Sequence, residues 1–188
     1  MTFSKSGPEN TEQALRLALE AAAQNEWALV VASNTGSTAV KLLELAKTNG
    51  FSGKIVMVGQ VDGFSAPGTN ALAAETRALL EEQGVRIVTA AHVLSGAERG
   101  ISRKFGGVYP AELIAASLRM LSQGVKVCVE IAMMALDCGA IPYGRPVVCV
   151  GGTGRGADTV CVVTPAYTAN LLDTKVHEIL CKPGYYAE

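Results

Sequence analysis

The sequence predicts a three-layer α/β/α sandwich built on a mostly parallel sheet. Short apolar runs typical of strands alternate with amphipathic helical segments, and the connections between them are short. Such alternation indicates a parallel sheet that is covered by helices on both faces. The 188 residues are 49% hydrophobic and 18% charged, which is enough apolar material for one domain that spans residues 1–188.

The first half of the chain predicts three helices and three strands in alternation. Leu15, Leu19 and Ala22 recur at helical spacing, and Asn10 or Thr11 can cap the helix that they mark. Gly84 ends the third helix. The predicted helices are residues 11–24, 39–46 and 69–83, and the predicted strands are residues 27–32, 54–58 and 85–89.

The second half departs from this alternation. Residues 92–107 form a polar segment punctuated by glycines, in which no helix is predicted, and Pro110 suits the first turn of the next helix. The tail, residues 173–181, fits either a helix or an edge strand, and we favour the strand. The remaining predicted helices are residues 110–123 and 125–138, and the remaining strands are residues 147–150 and 159–163.

The net charge and the distribution of basic residues argue against some classes of binding partner. The formal net charge is −1, and no cluster of lysine or arginine is dense enough to neutralise a run of phosphates. Nucleic acid and membrane are therefore not expected as partners. The polar first ten residues lack the apolar core of a signal peptide, so we expect a cytoplasmic protein.

The cysteine pattern supports the same compartment. The five cysteines are an odd number, contain no C-x-x-C pair and mostly lie in apolar segments. We expect buried thiols in a reducing environment rather than disulfides or a metal site.

The loop of residues 151–159, with the sequence GGTGRGADT, is the most informative segment. Its four glycines let successive backbone N–H groups converge on an anion, and Arg155 adds a permanently charged fork. The loop lacks the lysine of a Walker motif and precedes a strand, so it is not a standard nucleotide fingerprint. The candidate ligand residues are Gly152, Thr153, Gly154 and Arg155.

A second candidate loop joins the predicted strand 27–32 to the helix that follows. Free N–H groups at a helix N-terminus attract anions, although plain N-capping by the same hydroxyls is an equally good interpretation. Because both loops follow strands, we expect them to line one crevice at the carboxyl edge of the sheet. The candidates in the second loop are Ser33, Asn34, Thr35, Gly36, Ser37 and Thr38.

Residues 92–110 gather most of the reactive side chains. His92 is a candidate general base that Glu98 would orient, with Arg99 or Arg103 on a second anionic group. The alternative is a structural loop in which Glu98 pairs with an arginine and His92 caps a neighbouring element.

Glu130 is the one carboxylate inside the apolar run 127–136. A carboxylate there is costly unless it is paired, and Lys126 one turn earlier is its expected partner. A catalytic acid with a shifted pKa is the alternative.

Four segments together resemble the small standalone archaeal and bacterial proteins related to the pyruvate kinase C-terminal domain. They are residues 33–38, 94–107, 124–130 and 151–159, and the similarity extends over nearly the whole chain. The resemblance implies the three-layer fold and places the first loop like the pyruvate kinase loop that holds the phosphates of a sugar-bisphosphate effector. It does not imply kinase activity, because the catalytic barrel domain is lacking. The standalone family has been associated with bound flavin mononucleotide (FMN).

The leading hypothesis is therefore a protein that binds FMN or a similar phosphorylated small molecule. The first loop would hold the phosphate, and Gly36→Val is expected to block binding with the fold intact. The alternatives are a flavin-dependent oxidoreductase and a regulatory or assembly module. The sequence does not decide whether the protein is an enzyme or whether it forms a homo-oligomer. The residues expected to face the rest of the ligand are His92, Ser95, Arg103 and Gly106.

Overall fold

The computed structural model describes residues 1–184. This part of the chain forms the strands β1 (Thr2–Phe3), β2 (Leu29–Ala32), β3 (Ile55–Gly59), β4 (Arg86–Thr89), β5 (Val147–Gly151), β6 (Thr159–Thr164) and β7 (Lys175–Pro183). It also forms the helices α1 (Thr11–Asn25), α2 (Ser37–Thr48), α3 (Ala74–Glu82), α4 (Gly96–Phe105), α5 (Pro110–Arg119) and α6 (Gln123–Asp137). Two short 3₁₀ segments are Pro8–Asn10 and Thr168–Asp173.

The strands form one sheet in the order β1-β7-β6-β5-β2-β3-β4. Every neighbouring pair is parallel except the two that involve β6. The predicted α/β fold with a mostly parallel sheet is confirmed. From β2 the chain moves outward to β3 and β4 on one side, whereas β5 lies on the other side of β2. The strand order therefore reverses between β2 and β5, where open α/β sheets form a crevice.

Two apolar layers cover the sheet. Leu29 and Val31 of β2 point to the face that α1 and α2 cover, whereas Val30 points to the opposite face, where α6 packs. Helix α6 is buried on nearly all sides because a smaller apolar cluster, which includes Ala115 of α5, packs against its outer surface. Packing on both sides explains the long, mostly hydrophobic run that the sequence shows there.

Four of the five cysteines are buried, and all five are free thiols in the part of the chain that the structure describes. Burial raises the pKa of Cys128 and Cys149, and it raises the pKa of Cys181 to about 12. These thiols therefore stay protonated and pack as small apolar groups. The prediction of buried thiols holds except at Cys138, which is exposed.

Several predicted boundaries need correction. Residues 92–107 are not a continuous loop but contain α4. Helix α3 begins at Ala74 rather than at residue 69, because the Asn70 side chain accepts a hydrogen bond from the N–H of Leu72 at 2.8 Å and forms a turn there. Asn10 stands at the N-cap position of α1 but makes no side-chain capping hydrogen bond, and the Thr11 hydroxyl instead accepts a hydrogen bond from the N–H of Ala157. The strand favoured for residues 173–181 is confirmed as β7.

Gly124 sets how closely the first turn of α6 approaches β6. A Cβ atom there would lie 2.0 Å from Oγ1 and 2.4 Å from Cβ of Thr159. Gly124→Ala is therefore expected to lower the free energy of unfolding by about 1–3 kcal/mol, because overpacking outweighs the better helix propensity of alanine. Urea denaturation measures this. The matched control is Gly100→Ala in α4, where a Cβ meets nothing within 4 Å, and where we expect a gain of about 0.5–1 kcal/mol.

Candidate functional site

A cleft of about 830 Å³ opens at the carboxyl edge of the sheet, where the strand order reverses. The loop after β2 forms one wall and the loop after β5 forms another, so the two candidate loops do line one crevice. The candidate residues that line it are Ser33, Asn34, Thr35, Ser37, Thr38, His92, Ser95, Gly152, Gly154 and Arg155.

Four candidate residues are not part of the cleft lining. Arg103 and Gly106 lie at the exposed C-terminal end of α4. Thr153 has a buried Oγ1 that finds no hydrogen-bond partner within residues 1–184. Gly36 has a φ of +86°, and a Cβ atom there would lie 2.5 Å from Cγ2 of Thr76.

This geometry corrects the expectation for Gly36→Val. The valine would be forced into the left-handed region and into α3, so the substitution would disturb the fold rather than only the binding. A different substitution is needed to test this loop.

The hydrogen bonds of Ser33 show that N-capping accounts for part of the loop before α2. Its hydroxyl oxygen accepts hydrogen bonds from the N–H groups of Thr38 at 3.2 Å and Ala39 at 3.4 Å, so Ser33 does cap α2. The N–H groups of Thr35, Gly36 and Ser37 make no hydrogen bond within the described part of the chain. These free donors, together with the helix dipole, favour an anion at this end of α2.

The glycine loop is held firmly by its surroundings. A Cβ atom on Gly152 would lie 2.6 Å from the carbonyl oxygen of Gly156, so the loop closes on itself in a way that only glycine permits. Behind it, the buried Asp158 carboxylate accepts hydrogen bonds from the Gly7 N–H and from the Thr159 hydroxyl. The loop thereby presents Arg155, which is exposed, beside the cleft.

Lys126 and Glu130 form a buried ion pair at the wall that α6 contributes. Each side chain is 5% exposed, Lys126 Nζ donates to Glu130 Oε2, and Glu130 Oε1 accepts from the Leu94 N–H at 3.1 Å. The predicted i,i+4 pair is confirmed. Burial lowers the pKa of Lys126, and the negative charge of Glu130 opposes this shift.

Glu98 does not take either of its expected roles. Its Oε2 accepts a hydrogen bond from the Ala111 N–H at 2.8 Å, so it caps the first turn of α5 and neither orients His92 nor pairs with an arginine. His92 instead packs edge-on against Phe64, with ring centroids 5.4 Å apart.

His92 gives the protein a testable pH dependence. Burial lowers its pKa from the usual 6.5, Glu130 opposes this, and Lys126 and Arg99 add to it. As pH falls through the usual value, the unfolded chain binds the proton before the folded chain does, so stability contributed by neutral His92 is lost. We expect the free energy of unfolding to fall more steeply from pH 7 to pH 5 in the wild type than in His92→Gln. Equal slopes in the two proteins would contradict this assignment to His92.

The charges that line the cleft are strongly unequal. Of residues 1–184, the lining contains four cationic side chains and one carboxylate, that of Glu130; the cations are Arg99, Arg119, Lys126 and Arg155. The whole chain, by contrast, has a formal net charge of −1. Arg119 is also preoriented, because its Nε donates to Gln123 Oε1 at 2.7 Å. The positive charge is therefore concentrated in the cleft.

Some of these residues were not proposed as ligand residues from the sequence. Gln123, Lys126 and Glu130 recur every three or four positions on α6, and that spacing could have indicated a polar stripe on an apolar helix. Arg119 carries no such signal, since only the tertiary fold brings it to the cleft.

Fold and site together define a three-layer α/β protein with a cationic cleft where the strand order reverses. A family model for the pyruvate kinase alpha/beta domain matches residues 11–163 of the chain. The protein therefore belongs to the pyruvate kinase alpha/beta domain family, as the sequence resemblance indicated. The match includes both cleft loops and all of α6.

Within residues 1–184, no helix is long and apolar enough to cross a membrane.

Proposed function

We propose that the protein binds a phosphorylated small molecule, with the phosphate between the N-terminus of α2 and the glycine loop. The observation that carries the proposal is the excess of cationic side chains in the cleft of a chain whose formal net charge is −1. The free N–H groups at the start of α2 and the Arg155 guanidinium are suited to phosphate oxygens.

FMN is the specific ligand that we propose to test first. A cleft of about 830 Å³ lies within the range of sites that enclose a ligand of this size. Phe64 and His92 offer ring surfaces at the wall of the cleft, against which a flat heterocycle can pack. The cationic residues would favour the phosphate and any negative charge that develops on the ring.

The test compares FMN with riboflavin, which has the same ring and lacks the phosphate. Calorimetry should give an affinity for FMN at least about tenfold higher, because one charge-assisted hydrogen bond contributes about 1.5–3 kcal/mol. An absorption spectrum of the freshly purified protein, with mass spectrometry of what heating releases, identifies the ligand that it carries. Equal affinities for FMN and riboflavin would contradict phosphate recognition, and tight binding of a different phosphate ester would retain the site but replace FMN.

Flavin-dependent oxidoreductase activity is a second candidate, which the ionisable cluster of His92, Lys126 and Glu130 at the cleft favours. Oxidation of reduced nicotinamide in the presence of FMN and an electron acceptor would support it.

A regulatory or assembly role, and with it a homo-oligomer, stays a prediction. A change of molar mass, measured by light scattering when the ligand is added, would support it.

A further inference from the structure

Lys126 is both buried and part of the cleft lining, a position that the ion pair with Glu130 alone does not require. It is 4% exposed, yet it is part of the lining of the cleft that also contains the proposed phosphate site. Its ammonium group makes one hydrogen bond within residues 1–184, to Glu130, and so retains further N–H groups. The lysine therefore combines a position at the cleft with N–H groups that Glu130 does not use.

The surroundings of this amine are those of a nucleophilic lysine. Burial lowers its pKa, which increases the fraction of neutral amine that has a free electron pair. The other lining cations, Arg99 and Arg119, also disfavour the ammonium form. Glu130 touches Nζ and is the one carboxylate that residues 1–184 contribute to the cleft lining, so a proton acceptor is in place.

We infer that Lys126 forms an imine with the carbonyl carbon of a phosphorylated aldehyde or ketone bound in the cleft. The inference rests on the proposed phosphate site and is independent of the flavin. Glu130 accepts a proton from the Lys126 ammonium, and the neutral nitrogen attacks the carbonyl carbon. The carbonyl oxygen gains that proton from Glu130 and a second one from the attacking nitrogen, and it leaves as water. The product is a protonated imine, which carries the positive charge of the original ammonium group.

The test is reductive trapping of the wild-type protein. Dihydroxyacetone phosphate with cyanoborohydride should give a single covalent adduct, which peptide mapping places on Lys126. Dihydroxyacetone without the phosphate should react at least tenfold more slowly at this residue. FMN, which has no carbonyl of this reactivity, and inorganic phosphate should both protect Lys126.

Two variants sharpen the result. Lys126→Arg keeps the positive charge and cannot form the imine, so it should lose the adduct. Lys41→Arg, at an exposed lysine of α2, should keep it. Because the wild-type peptide map locates the adduct directly, the conclusion does not depend on whether Lys126→Arg folds.

The two proposals fail separately. If inorganic phosphate or FMN binds and neither dihydroxyacetone phosphate nor glyceraldehyde 3-phosphate labels Lys126, the imine is wrong and the phosphate site stands. Labelling spread evenly over exposed lysines also overturns the imine. If no phosphate compound binds, the proposed function fails, and the inference that rests on it fails too.

Discussion

Replacing Glu130 with leucine is expected to lower the free energy of unfolding by about 3–5 kcal/mol, the cost of leaving a buried charge without its partner. Lys126 would remain in a site where its side chain is 5% exposed, and the Leu94 N–H would lose its acceptor. Guanidinium denaturation followed by circular dichroism gives the change, provided that the slope with denaturant is unchanged. Guanidinium also screens ion pairs, so urea should be used in parallel.

The double variant Lys126→Met/Glu130→Leu is the control for this argument. Removing both charges abolishes the desolvation penalty, and buried ion pairs replaced by apolar residues are often neutral in stability. We expect the double variant to recover most of the loss, with the unpaired Leu94 N–H still costing about 1–3 kcal/mol. A single variant that unfolds like the wild type would mean that the ion pair is more hydrated than its burial indicates.

The sheet was predictable from the sequence because its central strands are buried on both faces. Such strands are continuous apolar runs, as in β3 and β5, and they stand out between glycines and polar segments. The order of the strands was not predictable in the same way, because it depends on which face of the sheet each helix packs against. The antiparallel placement of β6 follows from the short glycine loop, which allows only a tight return beside β5.

Helix α4 shows where local reasoning fails. It contains two glycines, which lower its helix propensity, and although Ala97, Ile101 and Phe105 recur at helical spacing, none of its residues is buried. Tertiary contacts tie it to α5: Glu98 accepts from the Ala111 N–H, and the Ser102 hydroxyl donates to Glu112. A carboxylate that bonds to a distant backbone N–H leaves no signature in sequence spacing, so the sequence predicts a partner for Glu98 in His92 or an arginine instead.

The parts of the candidate site that lie within one loop were predictable from the sequence. The parts that different helices bring together were not. The two loops are recognisable in the sequence because glycines and hydroxyl residues follow an apolar strand. The parallel topology brings both loops to the carboxyl edge of the sheet. Lys126 and Glu130 were predicted as a pair because they lie one helical turn apart, but their position at the cleft depends on how α6 rotates against the sheet. Arg119 reaches the cleft only because α5 packs on α6.

Ser37→Asp is expected to lower the affinity for FMN by about 100-fold or more while leaving the protein at least as stable as the wild type. Ser37 is exposed, lines the cleft and stands at the first position of α2. A carboxylate there would compete for the free N–H groups and repel the phosphate, and two like charges about 4 Å apart at an effective dielectric of 20 repel by about 4 kcal/mol. The same charge is favourable for the helix dipole, by about 0.3–1 kcal/mol. Calorimetric titration and thermal unfolding measure the two effects.

Two controls separate charge from shape and from position. Ser37→Asn has nearly the same size as the aspartate and no charge, so it should lose much less affinity. Ser117→Asp adds the same charge on an exposed position of α5 outside the cleft lining, and should leave binding unchanged. If Ser37→Asp and Ser117→Asp bind FMN alike, the phosphate does not lie at α2. If only Ser37→Asp fails and its melting temperature is preserved, the helix N-terminus is the phosphate site, because a folding defect can no longer explain the loss.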